Sequence, residues 1–454
     1  MRLWNYIKEK MLLHPDSIVK EGNASITYEE LCIFAELFSN RLTEPYYAIA
    51  CKSELAAAMG LLSCIAGGKT AIPIPTRYGE ELYKKYIDKA RPKHIITDFT
   101  GEFEICEINS KPKQITRDAA VVLFTSGSTG SPKGVMLTEE NIISNVKSIS
   151  AYFPLDANDT YLISRPLYHS SVLTGEFLLS LCKGSNIIFS SVEFSPVSII
   201  KLLKENRVTA FGSTPTLMST LAKFVRKPEE LCVKTVSISG ECMTVGMAKT
   251  IRRAFPSASI ICGYGLSEAS PRVAYLPPDL FDKKPCATGV PVEGVKIKIL
   301  GENGKKVSQG TTGELYVRGK NVMLGYLFDK RKTAMVLKNG WLKTGDRAYM
   351  DAEGLINVVG RTDDMIIKAG MNIYPAEIEN ILSEDERVDR ILVYGYSVND
   401  TQYIGMKVQG DFSSVSQLIE LCKKKLPTYQ IPTRIEIVEK LNEGLTGKTK
   451  RKAM

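Results

Sequence analysis

Val121-Val-Leu-Phe-Thr-Ser-Gly-Ser-Thr-Gly-Ser-Pro-Lys-Gly134 decides how the rest of the chain is read. Val121 to Phe124 is a short apolar run, with the length and content of a buried strand. It gives way to Thr125, Ser126, Gly127, Ser128, Thr129, Gly130 and Ser131, residues without bulk and rich in hydroxyls. Gly127 and Gly130 let the backbone turn sharply and approach a ligand closely. The hydroxyls and backbone N–H groups suit an oligophosphate, and Lys133 adds a cation where the loop ends. Thr138 is placed to cap a helix that follows. This is not a P-loop, because Pro132 stands where that motif needs its second Gly. Taken alone, the stretch reads equally well as a Ser/Gly-rich surface turn.

Working toward the N-terminus, the pattern is strand and helix in alternation. Thr27 and Glu30 form a capping box for a helix whose Leu31, Phe34, Ala35, Phe38 and Leu42 share one face. Tyr47–Cys51, Ala71–Pro75 and His94–Thr97 read as strands, and Glu54–Ala66 as a buried helix. Toward the C-terminus, strands at Thr160–Ser164, Asn186–Phe189, Ala210–Gly212, Val233–Ser239 and Ser259–Cys262 continue the alternation, which predicts a mostly parallel sheet. After about Pro285 the pattern changes to period two, with an Asn303-Gly304 turn and a hairpin around Asp351–Gly354. Beyond Arg361 come a helix at Pro375–Leu382, a strand at Arg390–Tyr394, a helix at Val415–Lys424 and a strand at Thr433–Val438. The expected architecture is a large α/β body with parallel-rich sheets over 1–360, carrying an antiparallel β unit at about 286–360. A small α+β domain over 361–454 completes it.

Composition sets outer limits. The chain has 454 residues, 44% of them apolar and 24% charged, enough for at least two packed domains. Its net charge of +9 suits anionic ligands, but no basic run is interleaved with aromatics, so nucleic acid is not expected. Ten cysteines carry no CxxC or metal spacing and only three histidines are present, so a zinc site is not expected. The cysteine usage, the lack of a signal-peptide core and the shortness of the uncharged stretch Leu55–Gly68 together predict a cytoplasmic protein without a membrane span.

Three further stretches carry chemistry. Gly263-Tyr-Gly-Leu-Ser-Glu268 follows a strand. Gly263 and Gly265 allow a tight turn, Tyr264 offers a flat face to a purine, and Glu268 a hard oxygen to Mg²⁺. Asp346, in Thr344-Gly-Asp346, can accept both hydroxyls of a ribose, although Asp after Gly is commonly a turn residue. Gly360-Arg-Thr-Asp-Asp364 and the basic tail Thr446-Gly-Lys448 complete the set.

The order Thr-Ser-Gly-Ser-Thr-Gly-x-Pro-Lys-Gly resembles the phosphate loop of the adenylate-forming superfamily, which includes acyl-CoA synthetases, nonribosomal peptide synthetase adenylation domains and luciferases. The other motifs follow in that family's order from Thr27 to Lys448. The resemblance implies that Thr125–Gly130 and Lys133 hold ATP phosphates. Gly240, Glu241, Gly263, Tyr264, Gly265 and Ser267 then border the nucleotide, and Asp346 and Arg361 its ribose. It further implies that Glu268 holds magnesium, that Lys448 is the catalytic lysine, that Asp363 is a hinge for a mobile C-terminal domain, and that Gly370 lines a thiol tunnel. Ser267 and Thr446 depart from the family's usual Thr and Asn. The activity implied is ATP-dependent formation of an acyl-adenylate, then transfer to coenzyme A or the phosphopantetheine of a carrier protein. His169, Ser213 and Arg272 are expected at the acid, with Arg272 meeting a second polar group on it. No Asp follows Arg165-Pro-Leu-Tyr-His169 to take an ammonium, so an aryl or short-to-medium acyl acid is expected. A stand-alone amino-acid adenylation protein and a non-catalytic nucleotide-binding relative are the alternatives.

Overall fold

The computed structural model describes residues 2–76, 79–98, 103–125, 132–190, 194–368, 371–398 and 401–441. Two large sheets form the body. The seven-stranded sheet runs in the order Gly325–Tyr326, Lys133–Leu137, Val121–Thr125, Thr70–Pro73, Tyr46–Ile49, His94–Thr97, Glu104–Glu107. Its inner strands are parallel and its outer pairings antiparallel. The nine-stranded sheet is parallel from Ile18–Glu21 through Asn186–Phe189, Thr160–Ile163, Ala210–Ser213 and Thr235–Ser239 to Ser259–Gly265. Antiparallel strands close both its edges, Ala24–Thr27 at one and Arg272–Leu276 with Val290–Pro291 at the other.

Side-chain alternation explains the layering, because successive residues of a strand face opposite ways. Val121 and Leu123, with Tyr161 and Ile163 from the other sheet, share one core cluster with the helices Arg2–Met11, Tyr28–Ser39, Glu54–Ala66 and Glu139–Ser150. Val122 faces the opposite way, into a cluster with Ala90. Leu162 likewise joins Phe211, Val236 and Ile260 under the helices Pro196–Glu205, Pro215–Ala222 and Val245–Ala254. The shared helices are therefore sandwiched between the two sheets. Glu54–Ala66 is buried along most of its length, and Ser53 accepts the Ala56 N–H at its start. Thr27 and Glu30 form the expected capping box, and Thr138 caps its helix through Asn141.

The antiparallel unit is a five-stranded sheet of Lys296–Leu300, Gly313–Arg318, Trp341–Met350, Leu337–Lys338 and Ile356–Arg361. Past it, a hairpin (Ile366–Lys368 with Met371–Ile373), a three-stranded sheet and the helices Pro375–Leu382 and Val415–Lys425 share a core cluster whose buried residues run from Ile366 to Leu426. Polar contacts tie this unit to the body. Lys223 Nζ lies 2.6 Å from Asp389, the Arg347 guanidinium donates to the Tyr374 hydroxyl at 3.2 Å, and the Cys286 thiol to Asn380 at 3.2 Å.

Several local expectations change. Between the phosphate loop and the helix capped by Thr138 lies a strand, Lys133–Leu137, paired antiparallel with Val121–Thr125. The helix still begins where Thr138 predicts it, at Glu139. Gly263 and Gly265 lie inside the strand Ser259–Gly265 rather than in a tight turn. They make room: a Cβ at Gly263 would sit 1.3 Å from Arg272 Nη1, and one at Gly265 would sit 2.1 Å from the Pro271 carbonyl oxygen. Trp341-Leu-Lys-Thr-Gly-Asp-Arg347 belongs to the ten-residue strand Trp341–Met350, with Gly345 at φ +77° letting it deform. Thr401–Gly410, paired with Val388–Val398, was not expected as a strand. Gly405 interrupts its pattern because the Tyr394 ring crosses it, 2.4 Å from where a Cβ would stand.

Candidate active site

Ser126 to Gly130, Gly370 and Lys448 lie outside the described residues. The two ends of the phosphate loop are described, and Thr125 pairs with Lys133 across the hairpin. Lys133 Nζ stands 5.7 Å from the centroid of the Tyr326 ring. The Tyr326 hydroxyl donates to Glu268 Oε1 at 2.8 Å. Tyr326 is held there by pairing with Val135, and the backbone carbonyl of Glu268 accepts from the Met323 N–H at 2.9 Å. One aromatic ring thus links the cation after the loop to the carboxylate of Gly263–Glu268. Burial, with Glu268 beside it, raises the Tyr326 hydroxyl pKa well above its usual value, so it stays a donor at neutral pH. The sequence reading missed Tyr326; a Gly-Tyr pair after Asn321-Val-Met-Leu324 gives no chemical signal by itself.

A second cluster joins three expected residues. The Arg361 guanidinium donates to Asp346 Oδ1 at 3.1 Å and to the Thr344 carbonyl at 2.9 Å. The Tyr264 hydroxyl donates to the other Asp346 oxygen. Register explains the meeting, because Asp346 and Arg361 are opposite each other on paired strands. Burial raises the Asp346 pKa, while Arg361 and Tyr264 act against it. Asp363 is exposed in the 3-10 turn Thr362–Asp364 that leads from this strand to the C-terminal unit.

The third cluster faces the helix after His169. The Ser170 and Ser267 hydroxyls are 3.0 Å apart, joining that helix to the Glu268 segment. His169 packs its ring against Tyr168 with centroids 4.5 Å apart. The helix widens to a π-helix over Leu173–Leu178, a form often found at functional sites. Glu176 lies within that stretch, buried, and meets the Arg165 guanidinium at 2.5 Å. Its carboxyl is pushed up by burial and pulled back by Arg165 and Arg272. Ser213 is buried at the end of its strand, beside Gly212, against which the Glu176 carboxylate rests. Gly240, at φ +103°, follows the next strand, and the Glu241 carboxylate accepts the Thr216 N–H at 3.2 Å. The Arg165–Glu176 pair was not foreseen, because an Arg in a loop and a Glu in an apolar helix are ordinarily solvated.

The two-sheet α/β body with its antiparallel unit thus gathers a carboxylate, a lysine and an Asp–Arg pair. The family model described as AMP-binding enzyme matches residues 106–327. A feruloyl-CoA synthase of Amycolatopsis sp is 32% identical over 337 residues, 73% of this chain and 68% of that protein. A long-chain-fatty-acid–CoA ligase of Escherichia coli O157:H7 is 31% identical over 413 residues, covering 85% of this chain and 73% of that one. Among solved structures, O-succinylbenzoate Coenzyme A synthetase from Bacillus subtilis in complex with AMP matches with TM-score 0.82 at 25% identity, over 98% of this chain and 97% of that one. ATP-bound MatB from Rhodopseudomonas palustris shares the fold, with TM-score 0.86 at 22% identity over 98% and 97% of the two chains. The chain belongs to the AMP-binding enzyme family, as an AMP-forming acid–thiol ligase.

Proposed function

We propose that the enzyme activates an aryl or short-to-medium acyl acid as its acyl-adenylate and passes the acyl group to the thiol of coenzyme A or of a carrier protein's phosphopantetheine. The observation that supports this reading is the Tyr326 bridge, whose hydroxyl donates to Glu268 and whose ring lies 5.7 Å from Lys133 Nζ. In the proposal, Lys133 and the loop hydroxyls hold the β- and γ-phosphates, Tyr264 faces the adenine, and Asp346 with Arg361 holds the ribose. Gly240, Glu241 and Ser267 border the nucleotide, while His169 and Ser213 border the acid. No cluster of three or more His, Cys, Asp or Glu exists among the described residues. In the proposal Glu268 would hold a magnesium ion, since a hard carboxylate oxygen suits a cation that usually binds one or two carboxylates together with substrate phosphates. When bound, it supplies neutralisation of phosphate charge.

Catalysis is positioning and charge stabilisation. A carboxylate oxygen of the acid attacks the α-phosphorus, the bond to the β-phosphate oxygen breaks, and pyrophosphate leaves. Lys448, brought by the proposed C-terminal domain over 361–454, neutralises the charge that develops. Rotation at Asp363 then withdraws Lys448 and admits a thiolate along the Gly370 loop. The sulfur attacks the acyl carbon and AMP leaves. A cytoplasmic setting is part of the proposal, on the cysteine usage of the sequence. No disulfide joins any of the ten cysteines, and among the described residues no helix is long and apolar enough to cross a membrane.

Glu176 speaks against the amino-acid alternative, because Arg165 already neutralises it. The test is ATP–pyrophosphate exchange against aryl acids, fatty acids and amino acids, with Lys448→Ala in parallel. Exchange with a non-amino acid that the variant loses is the expected result. Exchange only with an amino acid, or undiminished exchange in the variant, overturns the reading or the assignment of Lys448.

A further inference from the structure

Behind the Tyr264 face of the site lies a buried group of charges. Arg272 is 3% exposed and Glu176 2%. The Arg272 guanidinium rests against Gly263, where a Cβ would stand 1.3 Å from Nη1 and 2.2 Å from Cζ. On another side it reaches Gly175 of the π-helix, with Nη2 3.5 Å from where a Cβ would stand. Two glycines from different elements thus make the slot that this guanidinium fills. The slot lies back along the strand from Glu268, and on the proposed reading Arg272 stands on the acid side.

The charges there do not balance. Arg165 and Arg272 contribute two cations and Glu176 one anion, whose Oε1 meets Arg165 at 2.5 Å and which also feels Arg272. Arg272 Nη1 is buried and has no hydrogen-bond partner among the described residues. A buried, unsatisfied guanidinium donor costs free energy unless a ligand completes it. A planar guanidinium is matched best by a carboxylate.

We infer that the acid carries a second anionic group, a carboxylate at its far end, received by Arg272 while the first carboxylate is activated at the nucleotide. This rests on the acid-activating function proposed above and narrows its substrate class from aryl or acyl acids to diacids. Glu176, held by Arg165, screens the slot against a second cationic group and leaves one net positive charge for the incoming anion.

The test compares ATP–pyrophosphate exchange for monoacids with that for diacids of equal carbon count, both straight-chain and aromatic, in the wild type, Arg272→Leu and Arg272→Lys. The expected wild-type kcat/KM favours the matching diacid by roughly 10²- to 10³-fold, the range for leaving a buried charge without its partner. Arg272→Leu inverts the preference, losing the diacid and gaining the monoacid, and Arg272→Lys keeps part of it. Wild-type exchange that is equal for both kinds of acid, or better with monoacids, overturns the inference and leaves the acid-activating function standing. Exchange with an amino acid alone, or an Arg272→Lys enzyme that discriminates no differently from Arg272→Leu, also overturns it. Silence with every acid overturns both.

Discussion

On the proposed nucleotide side, the charged groups that face the ligand are already tied to one another. Glu268 takes the Tyr326 hydroxyl, and Asp346 takes Arg361 and Tyr264. On the acid side, Arg165 and Glu176 are paired, but the donors Arg165 Nε and Arg272 Nη1 are buried with no partner among the described residues. The first wall is organised before its ligand arrives, which suits a ligand that never changes. The second depends on its ligand to satisfy it, which suits discrimination, because an acid lacking the right group leaves those atoms unpaired.

The sharpest way to break this contrast is Glu176→Ala. It strands Arg165 as an uncompensated buried cation and is expected to cost about 3–5 kcal/mol, read as a lowered urea midpoint. Glu268→Gln acts on the other wall. Exchange is expected to fall roughly 10²- to 10³-fold, with the Mg²⁺ dependence shifted to higher concentration and the urea midpoint held. Gly263→Ala drives a methyl into the Arg272 guanidinium. Overpacking of that kind costs about 1–3 kcal/mol, and the choice between acids is expected to degrade more than the KM for ATP. Tyr326→Phe removes one donor to a carboxylate, and the KM for magnesium-ATP is expected to rise roughly tenfold. Smallest is Lys223→Ala, outside both walls: its exposed pair with Asp389 contributes under about 1 kcal/mol, and added salt is expected to erase the difference in Tm.

The body was legible from the chain because its strands are short apolar runs bounded by turn residues and its helices announce their caps. His94–Thr97, Asn186–Phe189 and Glu54–Ala66 fall where the pattern puts them. The reading failed where glycine served a neighbour. Gly405 sits in a strand to seat the Tyr394 ring, and Gly263 to seat Arg272, yet both look like breaks in one dimension. The meeting of Asp346 with Arg361 follows from strand register and was foreseen only through motif order. Tyr326 could not be foreseen, because its partner Glu268 lies 58 residues away in sequence, and the Arg165–Glu176 pair was missed because neither residue type signals burial.

The two-residue strand Gly325–Tyr326 has a consequence for how the chain is made. It covers the edge strand Lys133–Leu137, almost two hundred residues earlier. During synthesis that edge emerges long before its cover, with a row of backbone donors and acceptors open to any passing strand. The same late pair of residues delivers Tyr326 to Glu268. The ribosome must therefore carry a sticky, unfinished sheet until Gly325 arrives, and that arrival closes the sheet and sets the Glu268 carboxylate in one event.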